Sequence, residues 1–209
     1  AVGARLGVRE MIRRARRRCR RDRLVGRQEG ELIKCLMVRC FSSTDVSGHV
    51  VQVKGADEED YAATRVTTAV LWLGHPGVIM KGDNGLAMQA LLERSMQIIR
   101  VKVAEDTSGS MLRRLSKEGP APYDSQSNGG TEVSVMLIRG FFRTLKLCLE
   151  SQMGQYVPVG HAVVPWLLEH TCLILNVRSR GSDGLTPWQR VRGRPFGQQV
   201  VGSGGIVLR

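Results

Sequence analysis

The sequence predicts a mixed α/β fold in which a sheet is flanked by helices. Three observations support this class: two apolar runs separated by a polar turn near residue 45, short apolar runs that alternate with helical segments, and long helical segments further on. The resulting order is hairpin, helix, strand, helix, strand and then helices. That order is typical of a mixed sheet with helices packed on it.

The first predicted element is an antiparallel hairpin. Residues 31–41 (ELIKCLMVRCF) are apolar and thiol-rich with two interrupting bases, as expected of a strand that is largely buried on both faces. A polar turn over residues 42–48 follows. Residues 49–54 (HVVQVK) predict the second strand, and Gly55 ends it.

A helix is predicted next, over residues 57–73. Acidic residues at positions 57–59 provide the negative first turn that a helix dipole favours. Gly74 and Pro76 follow the last apolar residue, and both are helix stop signals.

A second alternation of strand and helix follows. Residues 78–80 form a short apolar run and predict a central strand. Residues 86–99 have a helical composition, and residues 100–103 (RVKV) predict a further short strand. Residues 104–130 are polar and contain Gly, Pro and Ser throughout, so they are predicted to form a mobile loop.

The rest of the chain is predicted to be helical. A long helix is expected from Thr131 to about Met153, and another from Pro158 or Pro165 to Val177.

A short helix near the end of the chain has the clearest boundary signals. Thr186 is the predicted cap, Pro187 takes the first helical position, and Gly193 lies just past the end.

Composition narrows the class of protein. No apolar run approaches the ~20 residues that a membrane span requires, and the start lacks the hydrophobic segment of a secretory signal. The five cysteines are scattered, so neither a disulfide framework nor a zinc module is predicted. We expect a soluble, intracellular protein, and Ala1 at the start suggests a piece of something longer.

The positive charge is concentrated in one tract. Residues 1–30 contain eleven arginines and three acidic residues, so this end carries +8 of the formal net charge of +12. Clustered guanidinium groups displace counterions from phosphates, which favours a polyanion-binding arm or a nuclear-targeting patch. A disordered, solvated tail fits the same composition equally well.

Two carboxylates stand at positions that suit either chain geometry or chemistry. Asp83 follows the predicted strand 78–80 within Asp-Asn-Gly, and such tripeptides most often simply turn the chain. Glu132 lies in the predicted first turn of the long helix, where a carboxylate also favours the helix dipole.

The long helix has one face that begins with a carboxylate and continues with bases. At 100° per residue, Glu132, Arg139, Arg143 and Lys146 lie within roughly 40° of one another. A phosphodiester enzyme could use the carboxylate to hold a divalent cation and the bases to bind flanking phosphates. A solvated helix surface would produce the same pattern about as often.

Four stretches form a longer pattern. KGDNG follows a short predicted strand, SQSNGGTEVSV opens a long helix about fifty residues later, and PVGHAVVPWLLEHTCLILN and DGLTPWQRVRGRPF lie beyond it. In order, spacing and unusual residues, the pattern resembles the integrase catalytic region of LTR retrotransposon polyproteins over roughly residues 20–196. The last two stretches are the most specific part of the resemblance.

The resemblance implies a fold, an activity and a site. It implies a ribonuclease H-like mixed sheet with a C-terminal helical extension, and an Asp, Asp, Glu triad that binds two Mg²⁺ or Mn²⁺ ions. These ions activate water or a DNA 3′-hydroxyl for attack on a phosphodiester. Carried over by position, Asp83 resembles the second aspartate, Glu132 the glutamate, and Arg139 a base that contacts DNA. Arg143 and Lys146 continue that basic face.

The first aspartate of the triad has two candidates. Asp22 has the expected spacing ahead of Asp83, but arginines at positions 20, 21 and 23 stand where the family has alternating apolar residues. Asp45 is the alternative, although it lies in a predicted turn only 38 residues before Asp83.

Two further departures from the family leave a second function open. No base directly follows Glu132, and no His-His-Cys-Cys zinc module precedes the core. These departures suggest a fragment or a decaying copy. The alternative function is therefore a catalytically inactive retrotransposon remnant that binds nucleic acid through its basic residues.

The resemblance also implies an organisation and partners. We expect a basic arm over residues 1–19, an integrase-like core over 20–178 and a C-terminal extension over 179–209. The expected partners are DNA, both the ends of the element and its target, and other copies of the chain. Action on DNA implies a nuclear location.

Overall fold

A computed structural model describes residues 33–107, 109–119 and 129–198. The predicted α/β class is confirmed within these ranges, which contain four strands and five helices. The elements are β1 (Lys34–Arg39), β2 (Val46–Val51), α1 (Tyr61–Leu73), β3 (Gly77–Lys81), α2 (Leu86–Glu105), β4 (Arg114–Glu118), α3 (Gly129–Met153), α4 (Val163–Arg178) and α5 (Pro187–Arg192).

The N-terminal hairpin forms as predicted, with a shorter turn. β1 and β2 pair antiparallel from Lys34 opposite Val51 to Arg39 opposite Val46. The second strand starts three residues earlier than expected, because the Cys40 amide closes the turn by donating to the Asp45 carbonyl at 2.9 Å.

The helix expected from residue 57 begins later, at Tyr61. Asp57 lies ahead of it and accepts hydrogen bonds from the amides of Tyr61 and Ala62, each at 3.1 Å. Residues 57–59 therefore precede the helix instead of forming its first turn, and Asp57 satisfies two of the free amides at the helix start. Gly74 ends the helix in a left-handed conformation, as its position suggested.

A parallel strand pair contains one element that the sequence did not predict. β3 pairs with β4 from Gly77 opposite Arg114 to Lys81 opposite Glu118. β4 lies within the predicted loop 104–130, so that prediction was wrong there. The strand is mostly polar, and Lys117 forms an ion pair with Glu93 of α2 at 2.6 Å.

The strand predicted over residues 100–103 was also wrong, because these residues continue α2. Leu92, Met96 and Ile99 are buried at helical spacing, and Val103 packs against the same cluster. The core contacts of one helix face thus override the local β-like alternation of RVKV.

Two clusters of apolar side chains cover opposite faces of the hairpin. Leu36 belongs to the cluster under α1 and α2, whereas its neighbour Met37 packs against the cluster of α3 and α4. Adjacent strand residues point to opposite faces, so the hairpin lies between the two helix pairs. A Cβ placed on Gly48 would lie 2.8 Å from Met37 Sδ and 3.0 Å from Cys172 Sγ, so α4 approaches β2 closely.

The short C-terminal helix agrees with its predicted boundaries. The Thr186 hydroxyl accepts from the Gln189 amide at 3.2 Å, and the Gln189 side chain accepts from the Thr186 amide at 2.9 Å. Pro187 takes the first position, and Gly193 ends the helix with a φ of 67°. No helix within the described ranges is long and apolar enough to span a membrane.

Candidate functional site

Asp83 is an exposed residue in the connection between β3 and α2. Its Oδ1 accepts a hydrogen bond from the Gly85 amide at 3.0 Å, and its carbonyl accepts from Gln89 Nε2 at 2.9 Å. Gly85 is the cap residue of α2. Asp83 therefore shapes the turn, as its sequence context favoured, and this bond also fixes the direction of an exposed carboxylate.

The neighbours of Asp83 lie at the carboxyl end of the β3–β4 pair. Lys81 forms an ion pair with Glu118 across this end at 2.9 Å. A Cβ placed on Gly119, the residue after β4, would lie 3.5 Å from Asn84 Oδ1. This end of the sheet thus presents carboxylate and amide oxygens.

Glu132 lies in the first turn of α3, and its side chain is exposed. The start of this helix rests against the end of β1, since a Cβ placed on Gly130 would lie 2.9 Å from both Arg39 Nη1 and Phe41 Cε1. The hairpin therefore positions Glu132. The carboxylate also stands at the positive end of the helix dipole.

The three predicted phosphate-binding bases on α3 differ in their surroundings. Arg139 and Arg143 are exposed. The Lys146 side chain is only 16% exposed, and its ammonium contacts Glu150 Oε1 at 2.5 Å and lies 4.4 Å from the ring centroid of Tyr156. Lys146 is thus held by neighbours within the protein, whereas the two arginines reach solvent.

Carboxylates suit the metals that the resemblance implies, because Mg²⁺ and Mn²⁺ prefer hard oxygen ligands. Asp83 and Glu132 supply such ligands on two different elements. Asp22, the predicted first aspartate, lies outside the described residues. Within the described ranges, no group of three His, Cys, Asp or Glu side chains is arranged to hold a metal. A set of three ligands would therefore need a contribution from elsewhere in the chain.

Asp45, the alternative first aspartate, is buried at the end of the hairpin turn. Burial raises the pKa of its carboxyl to about 7, and the charge of Arg192 lowers that pKa only in part. Its Oδ1 has no hydrogen-bond partner among the described residues. Burial thus sets the Asp45 carboxyl apart from those of Asp83 and Glu132, which are exposed.

Arg39 is a basic residue near the site that sequence reasoning did not single out. Its guanidinium lies 5.2 Å from the ring centroid of Phe41, beside the start of α3. The Nε and Nη1 donors are buried and lack a partner among the described residues. The signal in the sequence was that Arg39 is one of two bases that interrupt an apolar run.

Asn176, from the most specific stretch of the resemblance, has a structural role. Its Oδ1 accepts from the Val46 amide at 3.0 Å, and its Nδ2 donates to the Val46 carbonyl at 2.8 Å. This pair of bonds joins α4 to the edge of β2.

Arg190 and Asp183, from the same part of the sequence, fasten α5 to the hairpin turn. Arg190 Nη2 and Nε donate to the two Asp183 oxygens at 2.6 and 3.0 Å. Arg190 Nη1 donates to the Ser43 carbonyl at 3.1 Å and to Thr44 Oγ1 at 2.6 Å. The hydrogen bonds from Arg190 hold the pKa of Asp183 below its usual value.

Comparison with known proteins identifies the fold. No protein-family model and no curated protein matches the chain. A chain of the simian T-cell lymphotropic virus intasome, in complex with PP2A regulatory subunit B56 gamma, matches with a TM-score of 0.53 and 15% identity, over 86% of this chain and 55% of that chain. The catalytic core domain of BIV integrase matches with a TM-score of 0.47 and 18% identity, over 78% of this chain and 87% of that domain. The chain therefore shares its fold with a chain of that retroviral intasome, which agrees at the level of fold with the likeness expected from the sequence.

Proposed function

We propose that this chain is the catalytic core of an integrase-type polynucleotidyl transferase that acts on DNA and derives from an LTR retrotransposon. The observation that carries the proposal is the placement of two exposed carboxylates within an integrase-like fold. Asp83 follows β3, and Glu132 lies in the first turn of α3. Because both carboxylates face solvent, a metal ion can reach them.

Asp83, Glu132 and Asp22 would hold the Mg²⁺ or Mn²⁺ ions. When bound, the ions supply Lewis-acid activation of the attacking oxygen and offset charge on the phosphate. The bond from Gly85 to Asp83 Oδ1 orients that carboxylate before any ligand arrives. The packing of the start of α3 against the end of β1 fixes the position of the helical turn that carries Glu132.

Arg139 and Arg143 would bind phosphates that flank the reacting bond. Both are exposed on the helix that carries Glu132, so they can contact a backbone without first losing a partner among the described residues. Lys146 would have to leave Glu150 and Tyr156 to do so. We therefore expect the two arginines to contribute more than Lys146.

The finer features of the proposal follow the resemblance. We propose a ribonuclease H-like sheet, a core over residues 20–178 with a basic arm before it and a C-terminal extension after it, and action in the nucleus. DNA is the proposed substrate, and homo-oligomerisation is proposed because the simian virus chain was found in an intasome assembly.

The alternative is an inactive remnant that binds nucleic acid through charge alone. One observation favours it: Asp83 already has a role in the turn, so its presence is explained without a metal. The two functions differ in what a single uncharged substitution does. In an enzyme, replacing one of these carboxylates by its amide abolishes DNA strand transfer. In a binding remnant, the wild type has no strand-transfer activity and the substitution changes nothing.

The test is strand transfer on a short DNA duplex with Mg²⁺ or Mn²⁺, using the wild type and the variants Asp83→Asn, Glu132→Gln and Asp22→Asn. Asparagine at position 83 keeps an oxygen that accepts from Gly85 and removes only the charge. Glu93→Gln is the matched control, because it neutralises an exposed carboxylate of α2 that pairs with Lys117.

Product formation by the wild type and the control, together with its loss in the three variants, is the expected result. A folded wild type that binds the duplex but yields no product with either metal would establish the inactive remnant. Full activity in Asp83→Asn or Glu132→Gln would remove that residue from the proposed metal site.

A further inference from the structure

A cluster of three nucleophilic or basic side chains, none of them a residue of the proposed site, lies at the end of β1. Cys40 Sγ lies 3.4 Å from His75 Nε2 and 3.2 Å from Ser42 Oγ. The third side of the triangle, from Ser42 Oγ to His75 Nε2, is 3.3 Å. The hairpin turn supplies two members, and the connection between α1 and β3 supplies the third.

This geometry favours the thiolate form of Cys40. A hydroxyl and an imidazole N–H can both donate to a sulfur anion at these distances, and a cysteine within hydrogen-bond reach of a histidine is the arrangement of an activated thiol. Burial raises the pKa of Cys40, but hydrogen bonds from Ser42, Ser43 and His75 lower it by more, to about 7. The residue is only partly buried, so small reagents can reach the sulfur.

The other described cysteines lack such neighbours and provide internal controls. Cys35 is exposed, but burial of its thiol raises the pKa. Cys172 is buried, and burial with the charge of Asp45 raises its pKa to about 12. Cys148 is buried in the core.

We propose that Cys40 is a thiol-modification site, at which His75 and Ser42 stabilise the thiolate and small disulfides react in preference to the other described cysteines. In the reaction, Cys40 Sγ attacks one sulfur of the disulfide, and a new S–S bond forms as the old one breaks. The protein thiol is oxidised to a mixed disulfide. The other half of the reagent is reduced, leaves as a thiolate and takes a proton from water.

The expected preference follows from two opposing effects. At pH 7 a thiol of pKa about 7 is half ionised, whereas one of pKa 9 or above is about 1% ionised or less. A lower pKa also reduces nucleophilicity, by roughly 8-fold over two units at a Brønsted slope near 0.45. The net expectation is that Cys40 reacts several-fold faster than Cys35, despite being less exposed.

The experiment exposes the full chain to glutathione disulfide at pH 7 and quantifies the modification of each cysteine over time by peptide mass spectrometry. Separate quantification keeps Cys19, which lies outside the described residues, apart from the comparison. His75→Gln tests activation, and Ser42→Ala tests the second donor. His49→Gln is the matched control, since His49 pairs with Glu169 at 2.8 Å.

We expect Cys40 to react first among the four described cysteines, His75→Gln to slow it several-fold, Ser42→Ala to slow it less, and His49→Gln to leave its rate unchanged. The proposal fails if Cys35 reacts as fast as Cys40. It also fails if neither His75→Gln nor Ser42→Ala slows Cys40 in variants that retain a cooperative unfolding transition.

Discussion

Two polar regions of this molecule, both drawn from stretches that resemble integrases, differ in how far their side chains are engaged within the protein. At the carboxyl end of β3 and the start of α3, Asp83 and Glu132 are exposed. At the junction of the hairpin with α4 and α5, Asn176 accepts from and donates to the backbone of Val46, and Arg190 Nη1 donates to Ser43 and Thr44 of the hairpin turn.

This difference in hydrogen bonding separates residues that the sequence keeps for structure from those that are candidates for chemistry. The most specific sequence stretches are those whose polar side chains hold the chain together, because a bond across the fold fixes residue type and position at once. The exposed carboxylates carry the weaker sequence signal and the proposed chemistry. Substitutions should therefore reduce stability at the junction and leave it nearly unchanged at the carboxylates.

The largest loss of stability is expected for Asn176→Ala. The substitution leaves the Val46 amide and carbonyl, both now bonded to Asn176, without partners in a buried setting. Each of the two unsatisfied groups costs about 1–3 kcal/mol, so the free energy of unfolding should fall by about 2–6 kcal/mol. Urea denaturation measures it, with the exposed Asn84→Ala as control. A loss below about 0.5 kcal/mol would show that water replaces the amide.

Asp45→Asn should change stability in a pH-dependent way. The folded-state pKa of about 7 lies above the ordinary 3.8, so folding favours the protonated carboxyl and the contribution of Asp45 to stability is lost as pH rises from about 4 to 7. Asparagine does not titrate. The variant should therefore gain stability relative to wild type by roughly 2–3 kcal/mol between pH 5 and pH 8. Unfolding free energies at the two pH values test this, and an equal difference at both would contradict it.

Arg190→Lys should lower Tm by less than Asn176→Ala does. Lysine keeps the charge but cannot reproduce the two parallel bonds to Asp183 while also reaching Ser43 and Thr44. Thermal unfolding of Arg190→Lys, Asp183→Asn and the double variant forms a cycle. Additive effects in that cycle would mean that the pair is not coupled.

Much of the fold could be predicted because its signals are local. The hairpin, the strand conformation of β3 and the capped helix α5 each follow from residues within a few positions of one another. The prediction of residues 78–80 as a central strand was wrong, because β3 pairs only with β4 among the described strands, in a two-stranded sheet separate from the hairpin. β4 was missed because its sequence, RLSKE, is polar, and its strand conformation depends on backbone bonds to β3, more than 30 residues earlier. The residues RVKV were assigned to a strand although they continue α2, where Val103 packs against the buried cluster.

The polar residues of the candidate site and of the junction also divide into those with a local sequence signal and those without one. Exposure of Asp83 and Glu132 agrees with their positions after a strand and at a helix start. The engagement of Lys146 had a signal, since Glu150 follows at the i+4 position. The contact of Arg190 with Ser43, across 147 positions in the chain, had no sequence signal.

DNA binding should distinguish the exposed bases of α3 from the engaged one. Arg139→Ala or Arg143→Ala should weaken binding to a duplex and reduce the slope of log K against log salt by about one, since each removes one phosphate contact. Lys146→Ala should change the slope less, because Lys146 contacts Glu150 and Tyr156. Fluorescence anisotropy at several salt concentrations measures this. Equal slopes for all three variants would contradict this distinction, because Lys146 would then contribute as much to phosphate binding as either arginine.

The smallest effect on stability is expected for Glu132→Gln. The side chain is exposed in the first turn of α3, so the substitution removes only a favourable interaction with the helix dipole, worth about 0.3–1 kcal/mol at low salt. The loss should shrink as salt screens the dipole, and urea denaturation at low and high salt measures both values. A larger, salt-independent loss would mean that the carboxylate is bonded within the fold. Glu132 would then belong with Asn176 among the residues that hold the chain together, and the proposed metal site would lose one of its ligands.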